Sequence, residues 1–518
     1  MSGTQVLQPS IQITLANADA AVQNTAQRVL LVGQKTSAGS ATSGDLVENI
    51  SSSGAPENAL FGEDSQLAAM VRAFKAINKI VRVDAIPVDD HASGVPREVE
   101  FTVAGSPTAA GTITVVAGSE VNHSYSIPIA VGDTVTDIAD AITAAITANG
   151  KCPFDCANVA GVVTLTAVND GTVANDLGVE VTVDCAGVTV ASVTEATAGS
   201  QDPTLTSILD AATGRYQGVV WPWADTTILE AFLASRWSAN DIILDGVGIV
   251  TIQDTHANLL TALDPGLNDQ DIVVFAEKQE SETLYKGPAQ NEASYAKSAM
   301  FAAIRALRLT AGAAIGHLLT SSATLDQFGG PALASLPYFN TPMDLLPGID
   351  AGRGWTNVEI EQLLSAGGGV IGMNYTGTAS LVGEVPTTFK TDAASNPDPT
   401  WKFLNYVDTA SQVREYFHNN LRARFSQSRL TQGSVSRGRD MANAVVIRAY
   451  AERLYQDLTG PDYVLVQDGE VAVAYFKENL TISLDLASGT ITVVARVPIV
   501  TQLRAIIATI KISFSTEA

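Results

Sequence analysis

The strongest hint of chemistry in this 518-residue chain is a glycine followed closely by lysine and threonine. Gly33-Gln34-Lys35-Thr36 comes directly after an apolar run, Arg28 to Val32, as a phosphate-binding loop follows its strand. Such a loop needs glycine immediately before the lysine and another five residues before that, so that backbone amides can cradle phosphate oxygens. Gln34 and Val29 hold those places here. The cradle cannot form, and nucleotide binding is not expected.

Other candidate chemistry fails in the same concrete way. No Gly-x-Ser-x-Gly elbow occurs, and Gly433-Ser434-Val435-Ser436-Arg437-Gly438 has the wrong spacing for one. His91, His123, His256, His317 and His418 are scattered, with no His-Glu-x-x-His zinc pair. His317 lies in an apolar stretch and reads as a hydrogen-bonded core imidazole. Asp89-Asp90 could hold a cation, but beside Pro87 the pair reads as a solvated linker. Cys152, Cys156 and Cys185 match no zinc module and read as reduced structural thiols. Catalytic residues, metal ligands and cofactors are therefore all expected to be absent.

The formal net charge of −24 argues against a phosphate-gripping partner such as DNA or RNA. The most apolar stretch, Ala306 to Thr320, is broken by Arg308 and His317 and is too short to span a bilayer. Met1 to Ser10 lacks the basic and apolar regions of a signal peptide, so a cytoplasmic site of synthesis is expected.

The elements that would position any site begin with an α/β pattern. Arg28 to Val32 reads as a buried strand. Leu67, Met70, Val71, Phe74 and Ile77 recur at helical spacing, and Ile80 to Val83 returns as a strand parallel to the first. Composition shifts near Pro87 to Thr, Val, Ala and Gly. Short strands are expected at Val103, 111–115 and 124–127. A helix opens on a capping-box variant at Thr134 and Asp137, and strands follow at 162–167 and 179–183. The α/β pattern resumes with strands at 216–221 and 271–275, helices at 228–237 and 292–309, and a strand near Ala314-Ile315.

The expected fold class is α/β plus α+β. It comprises a discontinuous α/β core domain (21–90 and 203–395), an inserted β-rich domain (91–202) without which the core can close, and a C-terminal α+β domain (396–505). In the last, Asp408 or Thr409 caps a helix through Arg424, and Asp440 caps another, stopped by Gly460-Pro461. Strands at 463–466, 471–475, 480–484 and 490–494 form a sheet on those helices.

Terminal strand arms complete the pattern. Residues 506–518 hold Ile506, Ile510, Ile512 and Phe514, and the last three alternate with Lys511 and Ser513. Residues 1–20 hold a matching piece with Ile11, Ile13 and Leu15. Such strands can be donated to neighbouring copies. Arg414, Arg422, Arg424, Arg429, Arg437 and Arg439 crowd one region of an otherwise acidic chain. They read either as a solvated, internally paired face or as a contact with an acidic partner, another copy included.

From about Gly354 onward the sequence resembles contractile tail sheath proteins of bacteriophages, the Mu-type family in particular. The resemblance is carried by 356–367 and the strand 370–373, by Glu384-Val385-Pro386-Thr387-Thr388-Phe389 as a Thr-Thr strand, by 401–405 and 413–416, and by the Asp468-Gly469 turn. It implies a non-enzymatic virion tail subunit assembled in the host cytoplasm. Copies form stacked rings, typically hexameric in the family, around an inner tail tube, with baseplate and tail terminator proteins as further partners. A metastable extended state contracts to drive the tube through the bacterial envelope. It also implies that the arms add strands to neighbours' sheets, that the insert faces outward and that Arg422, Arg424 and Arg429 face the tube or a neighbouring subunit. Direct nucleic-acid binding and membrane insertion are not implied. The residues alone leave open a non-contractile virion protein (tube, capsid or adhesin subunit) or an α/β enzyme.

Overall fold

The computed structural model describes residues 27–237, 243–310, 336–350, 352–374, 376–433, 441–460, 464–487 and 489–501. The arm residues Ile11, Ile13, Leu15, Ile506, Ile510, Ile512 and Phe514, the strand read near Ala314-Ile315, His317 and the cap at Asp440 lie outside them.

The fold is mixed α/β. Strand β1 (Arg28–Gln34) is apolar and buried from Val29 to Val32, as a strand covered on both faces must be. Helices α1 (Pro56–Phe61) and α2 (Gln66–Ile77) follow. Leu67, Met70, Val71 and Phe74 bury one face of α2, and Ser65 caps it by accepting from Ala68 N. Strand β2 (Arg82–Val88) pairs parallel with β1; it starts later than the run at 80–83 suggested and extends further.

Residues 98–197 then supply β3 (Glu98–Gly105), β4 (Gly111–Ala117), β5 (Ser124–Ile129), α3 (Val135–Thr147), β6 (Phe154–Val159), β7 (Val162–Ala167), β8 (Val179–Asp184) and β9 (Val188–Thr197). The Thr134–Asp137 capping box forms as expected. Strands β6 and β9 were not legible in the sequence. β6-β7-β3-β9 make a four-stranded sheet, while β8-β4-β5 join a larger one.

The chain returns as β10 (Gly218–Val220), α4 (Thr227–Trp237), β11 (Val247–Asp254), α5 (His256–Leu263), β12 (Ile272–Ser281), β13 (Tyr285–Pro288) and α6 (Ser294–Thr310). β10 pairs parallel with β1, giving the parallel order β2-β1-β10-β11-β12. This sheet does not stop at its own last strand. β13 pairs antiparallel with both β12 and β8, so the strands of 111–184 continue it edge to edge. The expectation that the core closes without them therefore meets a shared ladder.

After α7 (Asn357–Ser365), with Thr356 and Glu359 as a second capping box, come β14 (Gly368–Met373) and β15 (Ala379–Val382). Glu384 to Phe389, read as a strand, is a loop with a single bridge between Pro386 and Phe403. Its threonines act as clasps. The Thr387 hydroxyl donates to Trp401 O at 2.6 Å, the Thr388 hydroxyl to Asp269 O at 2.9 Å, and Thr388 N to Ile272 O at 3.0 Å.

Helix α8 (Leu404–Phe425) starts before Asp408 and Thr409, which are buried inside it and do not cap it. Short β16 (Arg429–Leu430) and β17 (Met441–Ala442) precede α9 (Ala444–Thr459), capped by Asn443. The run Val471 to Tyr475 alternates like a strand but lies in helix α10 (Glu470–Glu478). Val473 and Phe476, three residues apart, give it its apolar contacts, with Phe476 stacked on Tyr455 at 4.4 Å. Val471 is left 85% exposed. Strands β18 (Thr481–Asp485) and β19 (Thr490–Val494) form a hairpin, where a larger sheet was expected.

Candidate assembly surfaces and a filled crevice

In open parallel sheets a ligand crevice forms beyond the carboxyl ends of the strands, where their order reverses. Here that place lies between β1 and β10. It is occupied by the chain itself. Gln66 N, at the start of α2, donates to Asn169 Oδ1 at 2.9 Å, taking the position an anion would hold at a helix N-terminus. Gln66 Oε1 accepts Gln34 N at 2.8 Å, and Gln34 Nε2 donates to Asp90 Oδ1 at 2.6 Å and Asp170 O at 2.7 Å. Asn169 Nδ2 donates to Asp90 Oδ1 at 3.0 Å.

Gly33 packs so closely that a Cβ there would sit 3.0 Å from Met70 Sδ and 3.3 Å from Gln66 Oε1. Across the crevice Trp221 and Trp223 are buried edge to face, 5.0 Å apart. Asp89 is exposed and pairs with Lys35 at 2.9 Å, but Asp90 is no solvated linker. Burial raises its carboxyl above the usual range, against the bonds from Asn169 and Gln34.

The remaining candidates for chemistry are spread out. His123 is pushed down to about 4 by burial, then by Arg72 and Lys151, so it is neutral near pH 7. His256 packs edge to face on Trp355 at 5.7 Å. Cys152, Cys156 and Cys185 are free thiols, the first two raised by burial. Among the described residues no group of three His, Cys, Asp or Glu side chains could hold a metal ion, and no helix is long and apolar enough to cross a membrane.

The C-terminal elements expose more. Arg422, Arg424 and Arg429 are exposed at and beyond the carboxyl end of α8, and among the described residues none of them enters an ion pair. Arg414 is internal to the molecule, donating to Trp237 O at 2.9 Å. Arg437 and Arg439 lie outside the described residues. Val445 is 72% exposed, and Tyr475 and Val494 are also exposed. Among the described residues no strand pairs with either outer edge of the β18–β19 hairpin.

A buried joint ties this part to the α/β layer. Asp408 Oδ1, on α8, accepts from Arg305 Nη2 of α6 at 2.5 Å and from Arg305 Nε at 3.2 Å. The Tyr338 hydroxyl donates to Asp408 Oδ2 at 2.6 Å. Two turns along, Glu415 meets Arg215 at 2.7 Å. Neither Arg305 nor Tyr338 stood out in the sequence. Arginines inside the apolar helix around Ala306, Arg305 and Arg308, were the available signal.

Known proteins similar to the chain are tail sheath proteins. The chain is 25% identical over 444 residues to the Mu-like prophage FluMu tail sheath protein of Haemophilus influenzae, covering 83% of this chain and 82% of that protein. The chain is thus a homologue of a tail sheath protein, and the resemblance read from residue 354 onward extends over most of its length. No protein-family model matches it. Similar solved structures include sheath tail proteins from Desulfitobacterium hafniense (12% identity, 94% of this chain and 100% of that one, TM-score 0.42) and Listeria innocua (12%, 92% and 92%, 0.46). The helical sheath of the anti-feeding prophage in its contracted state is another (9%, 99% and 100%, 0.44).

Proposed function

We propose that this chain is the structural subunit of a contractile tail sheath: it polymerises around a tail tube and contracts from an extended state. The observation that carries this reading is the similarity to the Haemophilus influenzae tail sheath protein over 83% of the chain. The filled crevice supports a non-enzymatic role, because the strand-order reversal where such sheets commonly bind ligands is taken by Asn169, Gln66 and Gln34.

In this reading the subunit divides into a discontinuous α/β domain (21–90 and 203–395), an outward-facing insert (91–202) and a C-terminal domain nearest the tube (396–505), with arms at 1–20 and 506–518. The return of the chain beside β1 after residue 197 supports the first division. The arms, through Ile11, Ile13, Leu15, Ile506, Ile510, Ile512 and Phe514, add strands to neighbours; the outer edges of the β18–β19 hairpin, with which no other described strand pairs, are suitable acceptors. Each donated strand gains backbone hydrogen bonds worth about 0.5–1.5 kcal/mol net apiece. Arg422, Arg424 and Arg429 face the tube or a neighbouring subunit. Copies assemble in the host cytoplasm as stacked hexameric rings and belong to the virion tail, meeting the baseplate, terminator and tube proteins there.

Electron microscopy of the purified protein tests this. Rings or wide tubes are expected; discrete small oligomers under all assembly conditions would overturn it.

A further inference from the structure

The strands of 97–197 meet the α/β layer along a seam fastened by two sets of contacts. Arg353 pairs with Glu180 at 2.8 Å and with Glu282 at 3.1 Å. Ser119, just beyond the stretch of β4 that pairs with β8, forms an isolated antiparallel bridge with Glu292 just ahead of α6. The Ser119 hydroxyl donates to Glu292 Oε2 at 2.6 Å, and Glu120 N donates to Asn291 O at 2.8 Å. Glu292 is 4% exposed. A cavity of about 450 Å³ opens beside it, between α2, α6 and the loops at 118–123 and 149–153.

The charges around Glu292 do not compensate it. Lys297, on the same helix, is already 2.7 Å from Glu277 of β12 and donates to Gln290 O at 2.8 Å; Asp176, from the turn before β8, also feels it. Arg72, facing the cavity from α2, donates to Asn58 Oδ1 at 3.1 Å. Lys151 is exposed, His123 is neutral near pH 7, and Tyr295 is a buried phenol. Two other carboxyls near the contact titrate high: burial raises Glu120, as do Glu180 and Asp350, and pushes Asp176 up to about 7, so the slope assigned to the latch is the part that Glu292→Gln removes. Burial therefore dominates and pushes the Glu292 carboxyl up to about 7, against the bond from Ser119 and the pull of Lys297.

We propose that the Ser119–Glu292 contact is a proton-operated latch between the 97–197 strands and the α/β layer: the neutral carboxyl closes it, and ionisation loosens it. The latch does not depend on the sheath assignment. Because the closed state holds its proton more tightly than an opened, solvated one, closure is fully favoured below about pH 4.5. It is lost progressively as pH rises towards 7, and is constant above that.

Amide hydrogen exchange on the full chain, corrected for the intrinsic pH dependence of exchange, tests it at residues 118–123 and 290–293. Opening should rise about tenfold per pH unit between 5 and 7 and then level off. Glu292→Gln should flatten the profile. A flat wild-type profile, or the wild-type slope retained in Glu292→Gln, would overturn the proposal. If that variant fails to fold, Ser119→Ala gives an independent reading. Loss of its bond to the carboxylate should move the levelling point above pH 7, and an unmoved point counts against the latch.

Discussion

Asn169 Oδ1 accepts the backbone N–H of Gln66 at 2.9 Å, across 103 residues of sequence. One side chain from the 98–197 region thereby satisfies the first N–H of α2, beside the Ser65 cap, and closes the crevice of the parallel sheet. The bond fastens two parts of the molecule and removes the site that this strand order otherwise offers to a ligand.

Asn169→Ala should cost about 1–3 kcal/mol, the usual range for leaving a buried donor without its partner. The variant should also regain an anion site. Sulfate should raise its melting temperature more than that of the wild type, and equal shifts would show that the crevice stays closed without Asn169.

Asp408→Asn should destabilise by about 3–5 kcal/mol, because Arg305 is left buried without its counter-charge. Tyr338→Phe removes one hydrogen bond to the same carboxylate and should cost about 1–3 kcal/mol. Urea unfolding of the two variants checks the order, and a milder effect for Asp408→Asn would refute the joint as described.

Charge reversal of Arg422, Arg424 and Arg429 should leave unfolding within about 0.5 kcal/mol of the wild type, since these side chains are exposed. It should impair assembly, most visibly at low salt, where charge contacts are least screened. Tubes of unchanged yield across a salt series would argue that these arginines are merely solvated.

Removal of Ile506 to Ala518 should yield folded subunits that do not polymerise. Circular dichroism and negative-stain microscopy together decide this, and normal tubes from the shortened chain would exclude an arm role for these residues.

Removal of residues 97–197 should be more damaging than the sequence suggested. It strips β8 from β13 and leaves Arg353 and Glu292 without Glu180 and Ser119. Insoluble or molten protein is expected; a cooperative unfolding transition in the deletion variant would show that the parallel layer closes alone.

Features with local causes were legible in the sequence. Val29 to Val32, the stripe Leu67, Met70, Val71 and Phe74, and the box at Thr134 and Asp137 each state their structure within a dozen residues. Those that failed have distant causes. Asp408 looks like a cap because capping residues are acidic and polar, yet its partner Arg305 lies 103 positions away. Val471 to Tyr475 alternates like a strand, but its burial is decided by Tyr455 meeting Phe476. Asp90 looked solvated because Asn169, which covers it, belongs to another part of the chain. For the assembly surfaces, the basic cluster was legible and two of its members, Arg437 and Arg439, lie outside the described residues along with both arms.

Helix α8 has its early residues Leu404 and Val407 in one apolar cluster and Val413 in a second, so a single rod is anchored in both. Its 22 residues span about 33 Å. From Asp408, where Arg305 holds it, to Arg424 is about 24 Å, so a tilt of about 10° at that joint would carry Arg424 through about 4 Å. Any angular play at the buried ion pair would thus be magnified several-fold at the basic tip.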